Sequence, residues 1–263
     1  MIKATIVANW KMNTTLSDSL VISGSVYKNT RNYKNIDIVL APPSIFIYPV
    51  LEHLRIKRKN FHLACQNIYF ADEGEFTGEI SAKMIKGLCD YVVLGHSERR
   101  EHFGETDEMV NKKIELALKN GITPIVCIGE SEKFHLEDHF DYEVKRMSSS
   151  GGILDSVSKC LRGISELEKV IIVYEPIWAI GSDNAASGAY CSSVCYIIKS
   201  HLERKFGDQA EKIKILYGGS TTSENTEEFM RQPNIDGLLV GGSSLNAKEF
   251  TKICKITSGV RGG

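Results

Sequence analysis

Ile171-Ile-Val-Tyr-Glu-Pro-Ile-Trp-Ala-Ile-Gly181 is the stretch whose grammar, repeated along the chain, sets the fold. β-Branched residues run into Tyr174, the pattern of a buried strand. A carboxylate, Glu175, stands at the strand's C-terminal end, and Pro176 follows, where it stops a regular ladder. Ile177, Trp178 and Ile180 then place large apolar side chains in a connection, and Gly181 closes it. Connections are normally polar and exposed. On these residues alone two readings stand level: a lid that folds over something, or a strand end whose Trp178 plugs a gap in the core.

Working outward, seven more β-rich runs share that grammar: Ala4–Ala8, Ile36–Ala41, Phe61–Cys65, Tyr91–Leu94, Pro124–Ile128, Ile213–Tyr217 and Gly237–Val240. The sixth in chain order is Val170–Val173, which runs into the quoted stretch. Helical patterns lie between them. From Glu108 to Leu118, Val110, Ile114, Ala117 and Leu118 fall on one face, and Gly121 offers a stop. From Val194 to Leu202 the apolar residues recur at Val194, Ile197, Ile198 and Leu202. Alternating strand and helix implies parallel strands with right-handed crossovers. Eight such units in 263 residues fit an α/β protein with a closed, parallel eight-stranded sheet, a single (β/α)8 barrel spanning residues 1–263. An open doubly wound sheet calls for a Gly-x-Gly-x-x-Gly turn after an early strand, and none is there. The tail Ser258–Gly263 is expected to fray.

Composition narrows the function classes. With 42% hydrophobic and 25% charged residues the chain is ordinary for a globular protein, and a net charge of −1 provides no global field for nucleic acid or acidic membranes. The basic run Arg55-Ile-Lys-Arg-Lys59 reads as a solvated helix end. No apolar run reaches membrane-spanning length and the first residues lack a secretory-signal layout. Seven cysteines without paired spacing indicate free thiols in a reducing compartment. A cytoplasmic protein is therefore expected. Cys191 and Cys195, four apart, read as core or surface thiols, and His135 and His139 as a solvated helix face, so no metal site is expected.

In a barrel of this kind chemistry gathers where the strands end. Asn9 and Lys11 follow the first run, Gly95-His-Ser-Glu-Arg99 the fourth, Glu175 the sixth, Gly218-Gly-Ser220 the seventh and Gly241-Gly-Ser243 the eighth. Two glycine turns on adjacent strands offer unobstructed N–H groups, the usual place for a barrel's phosphate grip, to which Gly181 could add a donor. Lys11 becomes a counter-charge for an anionic substrate. His96 opens a possible helix N-terminus, which favours a neutral, hydrogen-bond-donating imidazole. Glu175 under an apolar connection is poorly solvated and suits a general base. One base, one neutral donor, one cation and a phosphate grip equip a site to remove a proton α to a carbonyl on a small phosphorylated substrate.

The chain closely resembles the triosephosphate isomerase family. The resemblance is carried by Ala8-Asn-Trp-Lys-Met-Asn13, Ala64-Cys-Gln-Asn67, Phe76-Thr-Gly-Glu79, Gly95-His-Ser-Glu-Arg-Arg100, Val126-Cys-Ile-Gly-Glu130, Tyr174-Glu-Pro-Ile-Trp-Ala-Ile-Gly181, Tyr217-Gly-Gly-Ser220 and Asp236-Gly-Leu-Leu-Val-Gly-Gly242, in family order over nearly the whole chain. It implies the TIM barrel and cofactor-free interconversion of dihydroxyacetone phosphate and D-glyceraldehyde 3-phosphate, a step of glycolysis and gluconeogenesis. Glu175 would be the base, His96 and Asn9 would stabilise the enediolate, and Lys11 would offset charge. Glu98 would support Lys11 and Ser97 would hold Glu175, with Gly181, Ser220, Gly241 and Gly242 on the phosphate. The other readings are a different phosphate-binding barrel enzyme or a retired barrel that only binds. The first, as a Schiff-base aldolase, needs a mid-barrel lysine at a strand end, and the second predicts loss of Glu175, His96 or Lys11.

The resemblance also implies a homodimer, joined through the loop Asn67 to Glu79, with Thr77 buttressing the partner's site. Three departures from the family pattern stand out. Lys199 replaces an arginine expected to pair with Asp236, which predicts a weaker tie. Gly188 replaces a proline at a helix start. Asp183 and Asn184 replace glycine and lysine beyond Gly181, which predicts an altered balance of lid positions.

Overall fold

A computed structural model describes residues 3–55, 60–179 and 186–262. Its strands are β1 (Ala4–Asn9), β2 (Ile36–Ala41), β3 (Phe61–Cys65), β4 (Tyr91–Leu94), β5 (Thr123–Glu130), β6 (Ile171–Pro176), β7 (Lys214–Tyr217) and β8 (Gly237–Val240). Every neighbouring pair is parallel and β8 returns to β1, closing the barrel. Around it run α1 (Leu16–Thr30), α2 (Ile47–Leu54), α3 (Ala82–Ile85), α4 (Ser97–Phe103), α5 (Asp107–Lys119), α6 (Phe140–Ser148), α7 (Ile153–Cys160), α8 (Gly188–Phe206), α9 (Thr226–Met230) and α10 (Ala247–Val260).

Strand alternation divides the core. One set of buried residues, Val7, Val39, Val93, Ile125, Val173 and Leu216 among them, packs together inside the barrel. The intervening positions, such as Ile6, Ile38, Leu63 and Ile172, face out and join the helices in a larger cluster. This is the period of two that lets a parallel strand be apolar on both faces.

The sequence expectation ended the sixth strand at Val173, but pairing continues to Pro176. Gly129 lies opposite Glu175 and Glu130 opposite Pro176, so β5 and β6 extend together. As the last residue, Pro176 withholds an N–H where the ladder is finishing anyway. The close approach demands glycine at 129: a Cβ there would stand 1.9 Å from the Glu175 carbonyl oxygen. The two helical patterns fall within α5 and α8, and Gly121, at φ +74°, turns the chain just past α5.

Three expectations change. The tail does not fray through Ser258. Asn35 Nδ2 donates to the Ser258 carbonyl at 2.7 Å, Ser258 Oγ donates to Asn35 Oδ1 at 2.8 Å, and α10 continues to Val260. His135 and His139 are exposed, yet they sit in the turn leading to α6 rather than on a helix face. Lys199 forms no ion pair with Asp236, whose Oδ2 instead accepts the Ile215 N–H at 2.9 Å. Of the basic run, Arg55 caps α2 in the left-handed region and positions 56–59 lie outside the described residues. Cys191 and Cys195 are buried free thiols.

Candidate active site

β6 delivers Glu175 to the mouth of the barrel, where the residue is only 1% exposed. Its Oε2 accepts the backbone N–H of Ser97 at 2.9 Å, so Ser97 holds the carboxylate through its main chain. Nε2 of His96 stands 3.1 Å from Oε1, off line for a hydrogen bond, and Oε1 accepts none among the described residues. One carboxylate oxygen is thus fixed and the other is left with proton-accepting capacity. Beneath it Cys127 is fully buried, and its thiol is pushed well up by that burial and by the nearby Glu175 charge, so it stays protonated.

His96 is the N-cap of α4, as the sequence suggested. Its Nδ1 accepts the Glu98 N–H at 3.3 Å. A nitrogen that accepts carries no proton, which leaves a neutral ring with its N–H on Nε2, facing Glu175. The turn into this cap runs through Gly95 at φ +67°. A Cβ there would press to 3.0 Å against Arg100 and Val110.

Asn9 ends β1, and its Oδ1 accepts the Lys11 N–H at 3.1 Å, which leaves the amide Nδ2 as a donor. Lys11 holds φ +54°, an unfavourable left-handed conformation for a side-chain-bearing residue. Gln66 helps to impose it, donating through Nε2 to the carbonyls of Lys11 at 2.9 Å and Ala41 at 2.8 Å. The Lys11 ammonium reaches Glu98 Oε1 at 2.5 Å.

Asn9, Lys11, His96, Ser220, Gly241 and Gly242 all line one cavity of about 270 Å³. Gly219 beside it cannot be replaced cheaply, since a Cβ would fall 2.2 Å from the Tyr217 hydroxyl. Of the phosphate residues read from sequence, Gly181 lies outside the described residues, as do Asp183 and Asn184. Thr77 is exposed on its loop. A second cavity of about 330 Å³ shares Asn9, Lys11 and His96 and extends over Asn67, Arg99 and Phe103.

Trp178 packs against the edge of the outer core while its indole N–H is hydrogen-bonded. It is half-buried, its indole N–H donates to Glu130 Oε1 at 2.9 Å, and Tyr174 donates to the same oxygen at 2.6 Å. Sequence reasoning gave no role to Glu130, Gln66 or the buried Glu105. Glu105 Oε2 accepts the Gly95 N–H at 3.2 Å, and its other oxygen meets buried Lys113. Gln66 and Glu130 did stand within the quoted motifs, whereas nothing local marks Glu105.

The sequence model of the family described as triosephosphate isomerase matches residues 4–257. A triosephosphate isomerase of Dehalococcoides mccartyi is 40% identical over 252 residues, covering 95% of this chain and 94% of its own. One from Endomicrobium trichonymphae is 39% identical over 256 residues, covering 97% and 99%. The crystal structure of triosephosphate isomerase from Bartonella henselae superposes with a TM-score of 0.80 at 30% identity, over 97% of this chain and 99% of that one. This chain belongs to the triosephosphate isomerase family.

Proposed function

We propose that the chain, folded as one domain, interconverts dihydroxyacetone phosphate and D-glyceraldehyde 3-phosphate by general-base proton transfer, with no cofactor. The observation that carries this reading is the unpartnered Oε1 of Glu175 beside Nε2 of a neutral His96, at a cavity walled by Lys11 and two glycine turns. Oε1 takes the proton from the carbon next to the carbonyl. The electron pair of that C–H bond forms the enediolate's C=C bond, and the carbonyl pair moves onto oxygen. His96 Nε2–H and Asn9 Nδ2–H donate to the developing oxyanion, and the Lys11 ammonium lowers its energy. The hydroxyl proton on the first carbon's oxygen moves to the new oxyanion, the Glu175 carboxyl returns its proton to the neighbouring carbon, and the C=C pair makes that C–H bond as the first carbon's oxygen closes the new carbonyl. Ser97 keeps the base in place, Glu98 holds Lys11, and Gly181, Ser220, Gly241 and Gly242 grip the phosphate.

The protein works as a cytoplasmic homodimer. The loop from Asn67 to Glu79 enters the second copy, and the partner's Thr77 supports Asn9 and His96. Exposed Phe76 and Thr77 at the loop tip, and the cavity beside Asn9 and His96, support that arrangement. Among the described residues no helix is long and apolar enough to cross a membrane. A coupled assay in both directions, on protein whose mass in solution is measured, tests the reading. Turnover of triose phosphates by a dimer is expected, and an inactive, well-folded dimer would overturn it.

A further inference from the structure

We propose that Glu228 is a positioning residue for this isomerisation, acting through the N–H of Gly188 on the far end of the connection that follows the base. The proposal rests on the isomerase reading above. The connection has two posts. At its near end Trp178 Nε1 donates to Glu130 Oε1 at 2.9 Å. At its far end the chain enters α8, where Gly188 N–H donates to Glu228 Oε1 at 2.5 Å. Each post is a carboxylate carried by a different barrel unit.

Glu228 belongs to α9, and α9 is tied to the phosphate turn. Asn225, just before it, donates through Nδ2 to the Ser220 carbonyl at 3.1 Å. Phe229 stacks on Tyr217, with centroids 4.0 Å apart and planes 15° from parallel. The Glu228 bond therefore sets the start of α8 against the turn that carries Ser220.

The chemistry of position 188 matches the chemistry of 228. The first N–H groups of a helix have no partner within the helix. Ser187 Oγ takes the one at Tyr190, at 3.3 Å, and Glu228 takes the one at Gly188. A carboxylate also suits the positive end of a 19-residue helix. Proline at 188 would have no N–H to give. A Cβ there would come within 3.0 Å of both Glu228 Cγ and Gln232 Nε2. Glycine at 188, the residue that departs from the family pattern, is what makes this contact available.

The test is steady-state kinetics with glyceraldehyde 3-phosphate on Glu228→Ala, Glu228→Gln, Gly188→Pro and the Glu228→Ala/Gly188→Pro double variant, each with its melting temperature. Glu228→Ala should raise KM about fivefold, the scale of a lost helix-start contact, with kcat within about twofold because β6 and Ser97 still hold Glu175. Glu228→Gln should recover most of KM, since its amide oxygen accepts the same N–H. The double variant should be no worse than the worse single one, because both remove one bond. A merely structural role would lower the melting temperature and leave KM alone. A wild-type KM in Glu228→Ala, or equal damage in Glu228→Ala and Glu228→Gln, would overturn the proposal while the isomerase reading stands. A wild-type chain that does not turn over triose phosphate would overturn both.

Discussion

Nε2 of His96 lies 3.1 Å from Oε1 of Glu175, while Nδ1 of the same ring accepts the Glu98 N–H. One helix cap thus fixes the tautomer of His96, and the N–H one residue before, that of Ser97, holds the Glu175 carboxylate. Glu175→Asp retracts the carboxylate by one methylene. The variant should fold with an unchanged melting temperature and lose about 10²-fold or more in kcat, the scale of a misplaced reacting group. An unchanged kcat would locate the base elsewhere.

Lys11 carries charge to the cavity from a backbone conformation that side chains resist. Lys11→Ala and Lys11→Gly both remove the ammonium, so both should lose most of kcat/KM. They should differ in stability. Alanine keeps the left-handed strain that glycine relieves, so Lys11→Gly should be the more stable of the two by about 1 kcal/mol. Chemical denaturation of the two variants measures the difference. Equal midpoints and slopes would mean that Gln66 and Asn9 do not hold this conformation against strain.

The barrel was legible because each strand is a short apolar run bounded by breakers, and β2, β3, β4 and β8 fall where those runs fall. The end of β6 was not, because its last pairs depend on Gly129 in the neighbouring strand rather than on residues around Pro176. The same division holds in the site. Glu175, His96, Lys11 and Asn9 follow strand ends directly, so topology alone gathers them. Supporting residues are visible only through distant partners: Lys113 meets Asn67 across 46 positions, and Gly188 meets Glu228 across 40. No local period or motif encodes such pairs.

Glu105 and Lys113 form a nearly inaccessible ion pair, 1% and 2% exposed at the side chain. Lys113 also donates to Asn67 Oδ1 at 2.9 Å, and Glu105 accepts from Gly95 beside His96. Burial lowers the Lys113 pKa, opposed by Glu105. Glu105→Gln leaves a buried ammonium without its counter-charge and should cost about 3–5 kcal/mol. Glu105→Gln/Lys113→Met should recover part of that loss, because the buried ammonium leaves with its counter-charge and Arg99, the other cation on Glu105 Oε1 at 3.4 Å, is partly exposed. Unfolding of the two singles and the double variant closes the cycle. A double variant as unstable as the sum of the singles would show that the two side chains act independently.

Glu130 makes stability depend on pH in the direction opposite to most carboxylates. Desolvation raises its pKa from 4.5 to about 7, against the hydrogen bonds from Tyr174, Trp178 and Tyr190, and its Oε2 is buried without a partner. The folded state therefore holds a proton that the unfolded chain releases near 4.5. Such a group contributes stability that is fully present below pH 4.5 and is lost as pH rises through about 7. The full contribution is on the order of 3 kcal/mol. Glu130→Gln is neutral at every pH and still offers an oxygen to the Trp178 and Tyr174 donors. Unfolding free energies measured from pH 4.5 to 8 should show the difference, variant minus wild type, growing in the variant's favour as pH rises and levelling off above about 7. A difference that stays flat across this range would mean that Glu130 is charged throughout, with the three donors outweighing its burial.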